Sequence, residues 1–471
     1  MNTLLRWACL FLSLAACTSK PSQPDVLLVV MDSVRADRLH AYGYRRPTSR
    51  QLDAISNAGV LFEDVTADGT WSWPSHASLF TGEPPWVHGA HHSLSDTKGA
   101  KLEVSPMRED LPTLAERFGA AGYQTVVLSA NSLLDPSLGL TRGFDRAEVM
   151  GLDHEVVAAA QETIAAKTKE PLFLVVNLMS AHHPFTVAPD VPWSVAHRKW
   201  FQKRTTPRWA VPYLLDQRPP SLAMQKRTRR QGLSGEEAYA KGRMSLREED
   251  LAFMGDLYDG ELVQVDKALS SLMSSWTASS RAGGVVAITS DHGEYLGERG
   301  QLGHGLTVFR EVTHVPLVIL APGQLKPGTR VSSPVQLSDL HDTLLDLSGV
   351  EPAAERSLRP VAKGHPREGP ILSAAWPKKA MADRVGGRFA HGHRLYRQGH
   401  HALVVETNGN ASLFDLQQDP QMLKDRSAAD PERLQTMRAA ATTAFPQSAS
   451  GPSIQIPDES MRQLEAVGHL Q

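Results

Sequence analysis

Three apolar runs in this sequence end in acids or imidazoles. Asp32 follows Val26 to Met31, His182 follows Phe173 to Met179, and Asp291-His292-Gly293 follows Val285 to Ser290. A fourth run, Val126-Val127-Leu128, leads to Asn131. In an open α/β sheet, ligands bind beyond the carboxyl ends of the strands, so all four positions are expected along one edge. Carboxylates and neutral imidazoles are potential ligands for a divalent cation, and the chemistry within their reach is polarisation of an oxygen-rich substrate. Taken singly, each has a plainer explanation: a turn aspartate, a capping group or a hydrogen-bonded histidine. Their gathering on one edge is what points to a site.

The elements that must position these groups alternate along the chain. Asp25 to Met31 is a near-continuous apolar run, as expected of a strand covered on both faces. Further strands are expected at Tyr123 to Ser129, Leu172 to Met179, Val285 to Thr289 and Val315 to Leu320. Helical patterns fall at Ser49 to Ala58, Leu111 to Ala121, His154 to Lys167 and Glu248 to Trp276. Such alternation predicts an α/β fold, a large mostly parallel sheet sandwiched by helices, over residues 25–349. After Gly349 short strand-like runs at Ile371-Leu372, Arg388-Phe389-Ala390 and Ala402 to Glu406 precede a helix from about Pro431 to Ala444. Residues 350–471 therefore read as a smaller C-terminal α+β domain.

With 471 residues and 41% apolar side chains, the chain can bury an ample core. Its formal charge of −2 gives no reason to expect a nucleic-acid partner. Local charge is another matter. Residues 191–232 carry Arg198, Lys199, Lys203, Arg204, Arg208, Arg218, Lys226, Arg227, Arg229 and Arg230 against a single acid, Asp216. This basic insertion is either a solvated excursion or a lid that attracts an anionic substrate or membrane surface.

The first residues read as an export signal, with an apolar core, Leu10 to Leu14, too short to span a bilayer. Leu14-Ala15-Ala16-Cys17 resembles the lipobox of bacterial lipoproteins, which implies cleavage before Cys17 and a lipid anchor on it; a plain signal with a chance cysteine is the alternative. Residues 18–24 then form a tether, and the protein is expected in the cell envelope, at the outer membrane or periplasmic face. Cys9 and Cys17 are the only cysteines, so a mature chain has no thiol for a disulfide or for catalysis.

Val29-Val30-Met31-Asp32-Ser33-Val34-Arg35-Ala36-Asp37 resembles the opening block of the sulfatase family within the alkaline phosphatase superfamily. Ser72-Trp73-Pro74-Ser75-His76-Ala77-Ser78-Leu79-Phe80-Thr81-Gly82 is similar to that family's nucleophile signature, with Ser72 where sulfatases carry formylglycine. Asp291-His292-Gly293-Glu294, Gly303-His304-Gly305 and Leu413-Phe414-Asp415-Leu416 resemble later blocks, in the family's order. The resemblance implies one divalent cation held by Asp32, Asp291, His292 and the oxygen of Ser72. Many members have paired aspartates where this chain has Met31, and calcium-binding members often have asparagine where it has His292. The loss of oxygen ligands favours zinc or manganese over calcium or magnesium.

By the same resemblance Ser72 is the nucleophile, as serine or as formylglycine. The alternative is a serine capping a helix begun at Pro74. His76 stands where the motif usually has arginine, which bears on conversion to formylglycine and on steadying the nucleophile. Asn131 replaces a lysine-bearing block and is a candidate neutral donor to substrate. His182, in a block similar to His-x-Pro-aromatic, and His304 are candidates to hold the ester oxygen or protonate the leaving group. Both also read as buried structural histidines. His183 is expected as a supporting or surface residue, and His88, His91 and His92 as loop residues packing near the nucleophile helix.

Three functions are consistent with this set. The first is hydrolysis of sulfate esters on an extracytoplasmic small molecule or glycan. The second is a phosphodiesterase, phosphonate hydrolase or phosphotransferase using unmodified Ser72. The third is an inactive homologue that binds sulfated or phosphorylated glycans.

Overall fold

The computed structural model describes residues 23–91, 103–166, 168–183, 185, 246–376, 391–445 and 454–455. The expected export signal, Cys17, the basic run 191–232 and the run Arg388 to Ala390 lie outside the described residues. In chain order the strands are β1 (Val26–Met31), β2 (Val60–Thr66), β3 (Glu103–Val104), β4 (Gln124–Ser129), β5 (Arg146–Val149) and β6 (Leu172–Leu178). They continue with β7 (Val285–Thr289), β8 (Tyr295–Leu296), β9 (Leu302–Gly303), β10 (His314–Leu320), β11 (Thr329–Val331) and β12 (Val335–Gln336). Finally come β13 (Ile371–Ala375), β14 (His393–Gln398), β15 (His401–Glu406), β16 (Ala411–Asp415) and β17 (Ile454–Gln455).

One sheet of nine strands runs β11-β2-β10-β7-β1-β6-β4-β5, with β12 also paired to β2. Neighbours are parallel except β10, which is antiparallel to both β2 and β7. The expected large, mostly parallel sheet is present. β1 is its central strand, and its unbroken VLLVVM run follows from burial on both faces. Val26, Leu28 and Val30 meet one core with the helices Ser72–Thr81, Leu114–Ala120 and Asp339–Ser348. Leu27, Val29 and Met31 meet the other with the helices Arg50–Ala58, Asp153–Ala165 and Glu248–Ala278. Met31 thus points away from Asp32, into apolar packing.

The smaller unit is a four-stranded antiparallel sheet, β13-β14-β15-β16. The helix Pro431–Ala444 covers one face, packing Met437 and Ala441 on Tyr396, Leu403 and Leu413. Its other face meets the main body through Val308 and Phe309. Arg397 of β14 also reaches Asp64 of β2 with two hydrogen bonds, at 3.0 and 2.6 Å, beside Arg310 at 2.9 Å. Among the described residues no helix is long and apolar enough to cross a membrane.

Candidate functional site

Strands β1 and β7 are parallel neighbours, so the residues that follow them emerge side by side. Asp32 leaves β1 fully buried, and Ser33 after it adopts a left-handed φ of 60°. That turn is pinned. The hydroxyl of Tyr258, from the long helix Glu248–Ala278, donates to the Ser33 carbonyl at 2.7 Å and accepts from the Arg35 amide at 2.9 Å. Arg35 itself is buried among Asp37, Glu298 and the Glu294 carbonyl, which fix the loop beyond. After β7, the Ser290 hydroxyl accepts from the Val34 amide at 2.9 Å and donates to the His292 carbonyl at 2.7 Å. Gly293 is required here: a Cβ on it would lie 2.2 Å from the Glu311 carbonyl oxygen.

The helix that carries Ser72 arrives from a third direction. It begins at Ser72 itself, with Trp71 at the N-cap and no side-chain cap bond. Ser72 is therefore not a capping serine. Its hydroxyl donates to Asp32 Oδ2 at 3.2 Å and stands 3.3 Å from His292 Nε2. His292 Nε2 is in turn 3.7 Å from Asp32 Oδ1 and 3.5 Å from Asp291 Oδ2. One ligand atom from each of Asp32, Asp291 and His292 falls within 4.8 Å of the other two. All three residues are buried.

The hydrogen bonds around this trio leave one ligand atom of each residue facing the other two. Asp291 Oδ1 accepts from the Ser33 and His292 amides at 3.2 and 2.9 Å. Asp291 Oδ2 is buried and accepts no hydrogen bond among the described residues. An ionised oxygen in that condition is costly unless a positive charge faces it. His292 Nδ1 lies 2.9 Å from the Gly293 carbonyl, which can only accept, so the proton sits on Nδ1 and Nε2 presents its lone pair. Burial opposes a proton on Nε2, yet Asp291 and Asp32 outweigh it and raise the His292 pKa. Two acids and an imidazole nitrogen are a donor set suited to a divalent metal.

Asn131, expected as a donor to substrate, turns its amide to Asp32 Oδ2 at 2.8 Å and accepts from the Leu133 amide at 2.9 Å. His76 lies one helical turn after Ser72, fully buried. Its Nδ1 donates to the Ser72 carbonyl at 2.9 Å and is 3.5 Å from Asp291 Oδ2. Its Nε2 accepts from the Asn177 amide at 3.3 Å, and Asn177 Oδ1 accepts from the Ser129 hydroxyl at 3.0 Å. A neutral imidazole satisfies both contacts, so His76 braces the backbone of residue 72 rather than reaching its hydroxyl.

His182 and His304 stand over the trio. The His304 ring is 4.3 Å from the His292 ring and 5.0 Å from that of His182. Burial, then His183 and His304, push the His182 pKa down to about 3, so it is neutral at physiological pH. Glu294, buried between His183 and His304, is one residue whose role the sequence did not disclose. Burial would raise its pKa, but those two imidazoles hold it well below the usual carboxylate range. The signal available was an acid three positions after Asp291 with no basic neighbour in sequence. His88 proves structural, held between the Ser78 hydroxyl and the Ala90 amide at 3.0 Å each. His91 stacks on Trp376, and His92 lies outside the described residues.

The sulfatase family's sequence profile matches residues 24–350. A Delta 4,5-hexuronate-2-O-sulfatase of Bacteroides thetaiotaomicron is 24% identical over 458 residues, covering 88% of this chain and 87% of its own. Among solved structures, one bound to its substrate D-glucosamine-2-N,6-O-disulfate superposes with a TM-score of 0.68 at 16% identity, covering 90% of this chain and 98% of its own. The phosphonate monoester hydrolase of Agrobacterium radiobacter gives 0.64 at 20% identity, covering 92% and 100%. Site order, sheet topology and profile agree: the chain belongs to the sulfatase family and is a hydrolase.

Proposed function

We propose that the chain hydrolyses sulfate esters of an extracytoplasmic small molecule or glycan, with the oxygen of Ser72 as nucleophile and Asp32, Asp291, His292 and that oxygen as ligands of one divalent cation. The observation that carries this reading is the Ser72 hydroxyl, held between Asp32 Oδ2 and His292 Nε2. The hexuronate sulfatase of similar sequence acts on a sulfated sugar, which supports a glycan substrate. Cys17, as a lipid-bearing residue, would hold the enzyme at the envelope surface where such substrates lie.

A cation of the zinc or manganese class, when bound, withdraws charge from the sulfuryl or phosphoryl oxygens and makes the Ser72 oxygen more acidic. The chain's own groups do the rest. Asp32 already accepts the hydroxyl hydrogen that Ser72 must lose on attack, and Asn131 keeps that carboxylate in place. His76 fixes the backbone from which the nucleophile projects. His182 and His304, the latter backed by Glu294, face the ester oxygen as the bond to it breaks. If Ser72 is formylglycine, sulfate leaves as the aldehyde reforms; if it is serine, water must cleave the enzyme-bound ester.

His76 favours a second reading. An imidazole in place of the motif's arginine suits an unmodified Ser72 and a phosphodiester or phosphonate substrate. Peptide mass and a substrate panel decide between the two. Formylglycine at residue 72 with turnover of aryl sulfate supports the first reading, whereas intact serine with turnover of aryl phosphodiester or phosphonate alone supports the second. No turnover of any ester by metal-loaded, folded protein overturns both and leaves a binding-only homologue.

A further inference from the structure

On the smaller domain, apart from the loops that follow β1 and β7, a group of metal-ligating side chains is drawn together. One ligand atom from each of His400, His401 and Asp415 falls within 4.8 Å of the other two. Backbone pairing alone accounts for their meeting. Only Gly399 and His400 join β14 to β15, and Gln398 pairs with His401 across the turn. Gly399 has a φ of 59°, a left-handed conformation that suits so tight a connection. His401 stands directly opposite Asp415 in the antiparallel β15–β16 ladder, where facing Cβ atoms lie about 4.5–5.5 Å apart. The Leu416 amide donates to the His400 carbonyl at 2.7 Å, so the turn is fastened to the residue after Asp415. The His400 and His401 ring centroids are 4.1 Å apart.

The surroundings suit ligation. Asp415 is 8% exposed, and its Oδ1 accepts from the Gln417 amide at 3.0 Å. An outer hydrogen bond of this type fixes a carboxylate in the way that metal ligands are fixed. Burial first, then Arg433 and His400, hold the His401 pKa below the ordinary histidine value. At neutral pH its ring is therefore uncharged and carries a nitrogen lone pair. Arg433, whose charge opposes a cation, is itself paired with Asp430 at 2.9 Å. Zinc bonds to nitrogen and oxygen are about 2.0–2.2 Å, so bound ligand atoms stand roughly 3–3.5 Å apart. His400 is exposed, and its ring has room to turn inward by that difference.

We propose that His400, His401 and Asp415 bind a divalent ion of the zinc class, which clips the β14–β15 turn to the end of β16. Two imidazoles and one carboxylate select zinc over calcium or magnesium, which prefer an all-oxygen shell. Arg397 carries the effect further. Its Nε donates to the Gly399 carbonyl at 3.0 Å, while its other two nitrogens hold Asp64 of β2 at 3.0 and 2.6 Å. An ion that holds the turn thus also steadies the ion pair through which the smaller domain meets the main sheet. The role is structural, since an ion that binds only the folded chain stabilises it by mass action.

The test compares the full-length wild type with His400→Ala and His401→Gln, each first shown by circular dichroism to melt cooperatively. His400→Ala, at an exposed turn position, decides alone if His401→Gln does not. The proteins are stripped with chelator and equilibrated with zinc buffered at about 1 µM free ion, and bound metal is counted by mass spectrometry. The wild type should hold about one zinc ion more per chain than either variant. Zinc should also raise its Tm by roughly 2–5 °C more than theirs. Equal zinc content, or a difference that emerges only near roughly millimolar free ion, overturns the site. Unequal content with equal Tm shifts overturns the clip. The count is a difference between histidine variants, so it reads the same whether or not Asp32, Asp291 and His292 hold a cation.

Discussion

Asp291 spends one oxygen on two backbone amides and leaves the other aimed at the gap beside Ser72 and His292. Replacing it with alanine removes a charge without disturbing a strand. Asp291→Ala should release the cation and lower kcat/KM by on the order of 10³-fold or more, read by metal analysis and by ester turnover. Ser72→Ala should differ in kind. It should keep the fold and bind metal, yet fail to turn over either sulfate or phosphate esters; retained turnover at more than about 1% of wild type would remove Ser72 as nucleophile. The gathering of Asp32, Asp291 and His292 was legible because they lie within three residues of the ends of β1 and β7, and strand ends converge in this class of sheet. Glu294 and Asn177 were not, because each acts through an imidazole distant in the chain. Nothing local marks an asparagine inside β6 as the partner of His76.

Strand β2 shows the same limit for elements. Its sequence, VLFEDVT, places Glu63 and Asp64 in the middle of an apolar run, which masks the strand pattern. In the fold Glu63 pairs with Arg330 of β11 within the main sheet, and Asp64 with Arg310 and with Arg397 of β14, so Asp64 joins that sheet to the smaller domain. Burial alone would raise the Asp64 pKa, but the two guanidinium groups drive it far below the usual carboxylate range. A depressed acid stabilises the fold above its unfolded pKa and loses that contribution as pH falls through the folded one. Asp64→Asn should therefore flatten the decline of unfolding free energy below about pH 4, measured by urea titration at stepped pH. Asp64→Ala should cost about 3–5 kcal/mol at neutral pH, since it strands two arginines near the domain contact. The turn after β7 makes a sharper demand. Gly293→Ala forces a Cβ against the Glu311 carbonyl, so metal affinity should fall even where both acids remain, and an unchanged affinity would show that the turn can yield.

For the molecule as a whole, two features outside the described residues bear on where and on what it acts. If Cys17 carries lipid, Cys17→Ser should move the protein from the membrane fraction to the soluble one, with turnover of small esters unchanged. If the basic insertion is a lid, neutralising Arg227, Arg229 and Arg230 should raise KM for polyanionic glycans several-fold and leave small aryl esters alone. Equal effects on both would discard that role. The α/β class was readable from alternating strands and helices, whereas the position of the antiparallel β10 was not, since its apolar run carries no sign of direction.

The contact between the Ser33 amide and Asp291 spans 258 positions of chain. A polypeptide released by a nuclease-cut message or a stalled ribosome before that point would own half of a claw and nothing to close it on. If a cation binds there, its loading would belong to the end of maturation, after the sheet has assembled, and the ion would act as an inspector of finished molecules rather than as a seed for new ones.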